Sequence, residues 1–142
     1  MHICYGLQKN GWVQLMAKKG LLLVAILFYL IAGVNHFINP DFYLPLIPPY
    51  LLLIEEANLL SGTAEILGAI GLTLRQTRIW ASYGIILMLI CFIPSHLYFI
   101  QIGSCIDGSL CVREWIAWVR ILLVQPLFIW WIYVIRNVRI FA

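Results

Sequence analysis

Apolar positions in this 142-residue chain fall into four runs, at about 20–39, 51–74, 79–101 and 115–135. At roughly 1.5 Å of rise per residue, each run is long enough to carry a helix across the ~30 Å hydrocarbon core of a bilayer. The pattern predicts an all-α fold, an integral membrane four-helix bundle. Residues 1–19 are more polar and read as a cytoplasmic N-terminal tail, which leaves 20–139 as the membrane domain. Met16-Ala-Lys-Lys-Gly20 reads like a natural start, which would make residues 1–15 an extension. A signal peptide is the rival reading of Lys18–Gly33, but the apolar run is too long and no Ala-x-Ala site follows it.

Polar residues concentrate at Gly33–Tyr50, between the first two runs. Asn39-Pro40 should end the first helix, because a residue before proline avoids the α region. Pro45, Pro48 and Pro49 argue against a regular helix over 40–50, while Phe42, Tyr43, Leu46, Ile47 and Tyr50 keep that loop apolar. Its aromatics form a lid if they fold inward and a docking surface if they project outward. In the second run, Ala57, Ser61, Ala64, Glu65 and Gly68 share one stripe. The pairs Ala57/Ser61 and Ala64/Gly68 would let a neighbouring helix approach, so Glu65 points into the bundle. Pro94 should kink the third helix just before Ser95 and His96.

Composition fixes the solvent. The chain is 63% hydrophobic with a mean hydropathy of +0.96, and only 11% of it is charged. A soluble domain this size could not hide so much apolar surface, so the partner is the lipid bilayer. A net charge of +3, scattered along the chain, excludes nucleic acid as a partner. Lys18, Lys19, Arg136, Arg139 and the Arg75–Arg78 turn fall on one side of an even number of crossings. Asp41, Glu55, Glu56 and Asp107 fall on the other, with Arg113 beside Glu114 as the exception. The positive-inside rule then places both termini of this multi-pass protein in the cytoplasm.

Ionisable groups at helix depth cost about 2.5–3.5 kcal/mol each on insertion scales and are functional candidates by default. His36, Glu65, His96 and Arg120 are such groups. Counted from the span ends, His36, His96 and Arg120 share a layer roughly 6–9 Å below the outer edge, with Glu65 deeper. Asn35, Tyr29, Ser61 and Gln125 would join them, although Gln125 lies about 140° around a regular helix from Arg120. Two readings follow. In one, the cluster is a structural pin: Arg120 pairs with Glu65, and the histidines cap carbonyls freed by Pro40 and Pro94. In the other, it lines a pocket open to the outer leaflet. Two histidines at one depth could also ligate a b-type haem, although a neighbouring Arg and Glu suit hydrogen bonding as well. No metal site is expected.

Cys105 and Cys111 lie in one extracytoplasmic loop, where a disulfide can persist. It would pin the loop, or pass electrons to a quinone if strained and accessible. The spacing is C-x5-C, not the C-x-x-C of catalytic dithiols.

The runs Ala32-Gly-Val-Asn-His-Phe-Ile-Asn-Pro-Asp-Phe-Tyr-Leu44, Ser61-Gly-Thr-Ala-Glu-Ile-Leu-Gly68, Pro94-Ser-His96, and Trp118-Val-Arg120 with Gln125-Pro-Leu-Phe-Ile-Trp130 resemble the DoxX family. The likeness spans about 16–138 and implies a small four-helix protein of the bacterial cytoplasmic membrane, related to a thiosulfate:quinone oxidoreductase subunit. By that resemblance the family's polar positions fall on His36, Glu65, His96, Arg120 and Gln125, while Cys105/Cys111 lies outside its motif. The expected function is a quinone-linked oxidoreductase subunit with a membrane or periplasmic redox partner. Asn35, His36, Glu65, His96, Arg120 and Gln125 would bind the ligand. One histidine would donate to a quinone oxygen, Glu65 would relay protons, and Arg120 would stabilise the reduced anion. The alternative is a non-catalytic membrane assembly protein. Neither a nucleotide loop nor a flavin motif is present in the sequence.

Overall fold

The computed structural model describes residues 2–106 and 109–138. Among these, every regular element is helical. Helix α1 runs from His2 to Ile38 without a break. The segment read as a polar tail therefore continues the first helix, since no proline interrupts it before Asn39-Pro40. Its apolar part, Val13–Ile38, is long and apolar enough to cross a membrane. So are Arg78–Gln101 and Glu114–Ile135.

The proline-rich connection is more ordered than its composition suggests. It forms a short helix α2, Pro40–Tyr43, followed by a 3₁₀ turn, Leu44–Leu46. Pro40 and Pro45 stand in the first turns of these elements, where a missing N–H costs no helical hydrogen bond. Helix α3, Ile54–Thr73, carries Glu55 and Glu56 in its first turn, where the helix dipole favours negative charge. The third apolar run breaks at Phe92 into α4, Arg78–Cys91, and α5, Ile93–Gln101, with Pro94 in the first turn of α5. The last run is α6, Glu114–Val119, a π-helical stretch Arg120–Val124, and α7, Gln125–Ile135.

Helix α1 packs on α3, α3 on α4, α4 on α7, and α7 back on α1. The dry core sits toward one end of this arrangement, where Leu22, Tyr29, Leu72, Ile85 and Ile132 are buried. Outward faces are apolar, with Leu23, Ile31, Leu60, Leu87 and Leu122 exposed. Such a surface suits lipid and not water.

The expected stripe of small residues on α3 is divided between two neighbours. The closest approach to α1 uses Gly33 and Gly62. A Cβ on Gly33 would lie 2.7 Å from the Gly62 carbonyl oxygen, and a Cβ on Gly62 would lie 2.6 Å from the His36 Cβ. Gly68 instead faces Ile85 on α4. The buried positions of α3 are Asn58, Gly62, Glu65, Ala69 and Leu72, so Glu65 alone of the expected stripe is buried.

Arg78, read from the sequence as part of a basic turn on the cytoplasmic side, is only 2% exposed. Its guanidinium donates to the carbonyls of Leu72 (2.7 Å), Thr73 (3.0 Å) and Val138. It caps the end of α3 and ties it to the segment that follows α7. Arg139 lies outside the described residues.

Candidate functional site

At the end of the helices opposite Arg78, a cavity of about 750 Å³ opens between α1, α3, α5 and the π-helical stretch. Asn35, His36, Glu65, His96, Arg120 and Gln125 all line it. Tyr29 and Ser61 do as well, and the rest of the wall is mostly apolar. The lid segment folds inward, since Phe42, Tyr43, Leu46 and Ile47 face the cavity. The residues that follow, Tyr50–Leu53, are exposed.

The crossing at Gly33 and Gly62 sets the geometry of the deepest wall. Because the two backbones touch there, His36 of α1 is pressed onto the face of α3 that carries Asn58 and Glu65. The His36 Nδ1 lies 2.7 Å from the Asn58 Oδ1, and the Asn58 Nδ2 donates to the His36 backbone carbonyl at 3.0 Å. The His36 Nε2 lies 3.7 Å from the Glu65 Oε2. The Tyr43 ring stacks on the imidazole, with centroids 3.7 Å apart and planes inclined by 21°. Asn39 donates to the Asn35 Oδ1 at 2.6 Å, and the Asn35 Nδ2 donates to the Tyr43 hydroxyl at 2.8 Å. This chain of bonds holds the lid residue in register with α1.

These contacts correct the structural-pin expectation. His36–Glu65 is the only ion-pair contact among the described residues, so Arg120 does not pair with Glu65. The close crossing of α1 and α3 brings His36 to that carboxylate instead. Nor does either histidine ring bond a backbone carbonyl among the described residues. The His36 Nδ1 is hydrogen-bonded to Asn58, its Nε2 faces Glu65, and an aromatic ring covers one face of the imidazole. Two buried polar atoms of the cavity residues, the Glu65 Oε2 and the Tyr29 hydroxyl, have no hydrogen-bond partner among the described residues.

Arg120 and Gln125 share the cavity because the helix between them is not regular. The Gln125 backbone N–H donates to the Arg120 carbonyl, a bond between residues five apart. In such a widened turn, residues at that spacing sit one above the other. The Gln125 amide is partly committed, since its Nε2 donates to the Leu89 carbonyl and ties α7 to α4. Arg120 is exposed on the cavity wall and makes no ion pair among the described residues.

Cys105 and Cys111 are joined by a disulfide and form an antiparallel bridge. Gly103, with φ +82°, turns the chain out of α5 into this hairpin. Leu110 reaches from the hairpin to the cavity wall. Asp107 and Gly108 lie outside the described residues. Asn58 was missed by sequence reading. Its signal was present, because Asn58, Gly62 and Glu65 follow one another at helical spacing on a single face.

Compared with known proteins, residues 24–136 match the model of one family, described as Domain of unknown function (DUF8561). No curated protein and no solved structure matches the chain. The matched residues contain every residue that lines the cavity.

Proposed function

The chain belongs to the DUF8561 family, and we propose that it serves as a quinone-binding subunit of a membrane oxidoreductase. The observation that carries this reading is the cavity itself. Its volume of about 750 Å³ falls in the range of small-molecule sites, and its wall is apolar with a few convergent polar groups. A quinone has that chemistry: a flat apolar ring with an oxygen at each end. The resemblance to the DoxX family points the same way.

In this reading α3 is the fourth crossing of a four-helix bundle, with Glu65 turned away from lipid. Both termini then share the cytoplasmic side with Lys18, Lys19, Arg75 and Arg136, and the cavity opens toward the outer leaflet of the inner membrane. The Cys105–Cys111 disulfide sits on that oxidising side. Reduction of a quinone to its quinol takes up two electrons and two protons. A redox partner protein supplies the electrons, Glu65 and His36 pass protons, and the Arg120 charge stabilises the anionic oxygen that forms between the steps.

Quenching of tryptophan fluorescence by a short-chain quinone, measured on the full chain in nanodiscs, tests the reading. Binding is expected in the wild type. Glu65→Gln and Arg120→Leu should each weaken it by about 10-fold or more, the loss of one charge-assisted hydrogen bond. Their melting temperatures should stay close to that of the wild type. Absence of binding in the wild type, or unchanged binding in both variants, would refute the proposal.

A membrane assembly role is the second reading, and it rests on Tyr50–Leu53. Leu52 is 94% exposed at the lid end. If this strip docks a partner protein, Leu52→Ser should abolish co-purification of that partner and leave quinone binding untouched.

A further inference from the structure

We infer that Asn58 is a positioning residue that locks His36 in its Nδ1–H tautomer, so that the His36 Nε2 and Glu65 hold one proton between them and offer it to a ligand oxygen in the cavity. The tautomer follows from the two bonds of Asn58 alone. Its offering to a ligand rests on the quinone reading above.

An amide side chain can be turned end for end, and its partners decide which way it lies. Here the partners decide without ambiguity. The His36 backbone carbonyl only accepts, so the Asn58 atom 3.0 Å from it is the NH₂ group. The Asn58 atom facing the imidazole is then the carbonyl oxygen, which also only accepts. The His36 Nδ1, 2.7 Å away, must carry the hydrogen. A neutral imidazole with a hydrogen on Nδ1 has a bare lone pair on Nε2.

That lone pair is turned to the Glu65 Oε2 at 3.7 Å. The distance is beyond hydrogen-bond length and within ion-pair reach. Catalytic contacts are often this long before a ligand closes the site. A carboxylate and a bare lone pair would repel, whereas one added proton lets the two groups attract. It resides on Glu65 as a carboxylic acid beside neutral His36, or on Nε2 as an imidazolium beside a carboxylate. The pair is neutral overall in either form. Other groups facing His36 are the Tyr43 ring, which stacks on it, and Asn58. Neither supplies a competing proton at Nε2. Transfer to a ligand oxygen breaks the O–H bond of Glu65, forms an O–H bond on the ligand, and leaves a carboxylate beside neutral His36. Water then returns the proton to the pair.

The test is the ¹⁵N spectrum of the histidine rings in full-length, labelled protein in nanodiscs, with His36 assigned by its loss in His36→Asn. The expected result is a protonated Nδ1 on His36 in the wild type. It should persist in Asn58→Asp, which keeps the acceptor, and give way to a tautomer mixture in Asn58→Leu. A wild type with a bare Nδ1 and a protonated Nε2 overturns the inference. So does an Asn58→Leu variant that folds and keeps the wild-type spectrum. If Asn58→Leu does not fold, the wild type and Asn58→Asp still decide. A protonated Nδ1 together with no quinone binding supports the Asn58 tautomer lock and removes the quinone reading, so the two failures are distinguishable.

Discussion

Replacing Gly62 with valine is expected to cost the protein its folded cavity. A Cβ at this position meets the His36 Cβ at 2.6 Å, the Gly33 carbonyl oxygen at 2.9 Å and the Phe37 ring at 2.9 Å. Two of these atoms belong to the backbone or sit directly on it, so no side-chain rotation relieves the clash. Helices α1 and α3 must separate. Overpacking of this kind costs about 1–3 kcal/mol, and separation also removes the His36–Asn58 bonds. The melting temperature of Gly62→Val in detergent should fall by many degrees, and quinone binding should be lost with it. Gly84→Ala is the control. Nothing lies within 4 Å of a Cβ there, so alanine should leave the melt unchanged or raise it slightly through its better helix propensity. A Gly62→Val protein that melts with the wild type would show that this crossing does not hold the wall in place.

The second large effect is expected at the other end of the molecule. Arg78→Met removes a guanidinium that serves three backbone carbonyls at once, those of Leu72, Thr73 and Val138. Hydrogen bonds to a charged group contribute roughly 1.5–3 kcal/mol each, and a buried carbonyl left alone adds its own penalty. A loss of about 3 kcal/mol or more is expected in denaturant unfolding. Arg78→Lys should recover only part of it, because a compact ammonium cannot span three acceptors on two segments. Since the cavity lies at the opposite end, the folded fraction of Arg78→Met should bind quinone like the wild type. Wild-type stability in Arg78→Met would remove the cap from the account of the fold.

The sequence showed where polar chemistry gathers, and a physical reason lies behind that. Against a background of Leu, Ile, Val and Phe, a His, Glu or Arg at helix depth stands out. The fixed rise of a helix converts its position into depth. His36, Glu65, His96 and Arg120 were placed together on those grounds, and they line one cavity. Pairing was not legible. The choice between His36 and Arg120 as the neighbour of Glu65 depends on where α1 and α3 cross. That point is set by Gly33 meeting Gly62, while the more obvious small pairs, Ala57/Ser61 and Ala64/Gly68, suggested another contact. The helical nature of residues 2–19 was hidden by their polarity, because hydropathy reports on the solvent of a helix and not on its existence. The same holds for Pro40–Leu46, where prolines that forbid a long helix start two short ones.

The widened turn at Arg120–Val124 also bears on how relatives can be compared. A π-helical turn is an α-helix with one residue too many, and straightening it with that residue kept would rotate one half of the crossing by about 100° against the other. In this chain that surplus residue lets Arg120 and Gln125 reach the same cavity. A family member one residue shorter between Arg120 and Gln125 could cross as an unbroken helix and keep both side chains on one face, four positions apart instead of five. A single-residue gap at this point would therefore mark relatives that hold both polar groups at the site without the widened turn, whereas a relative of equal length with a regular helix here would hold only one.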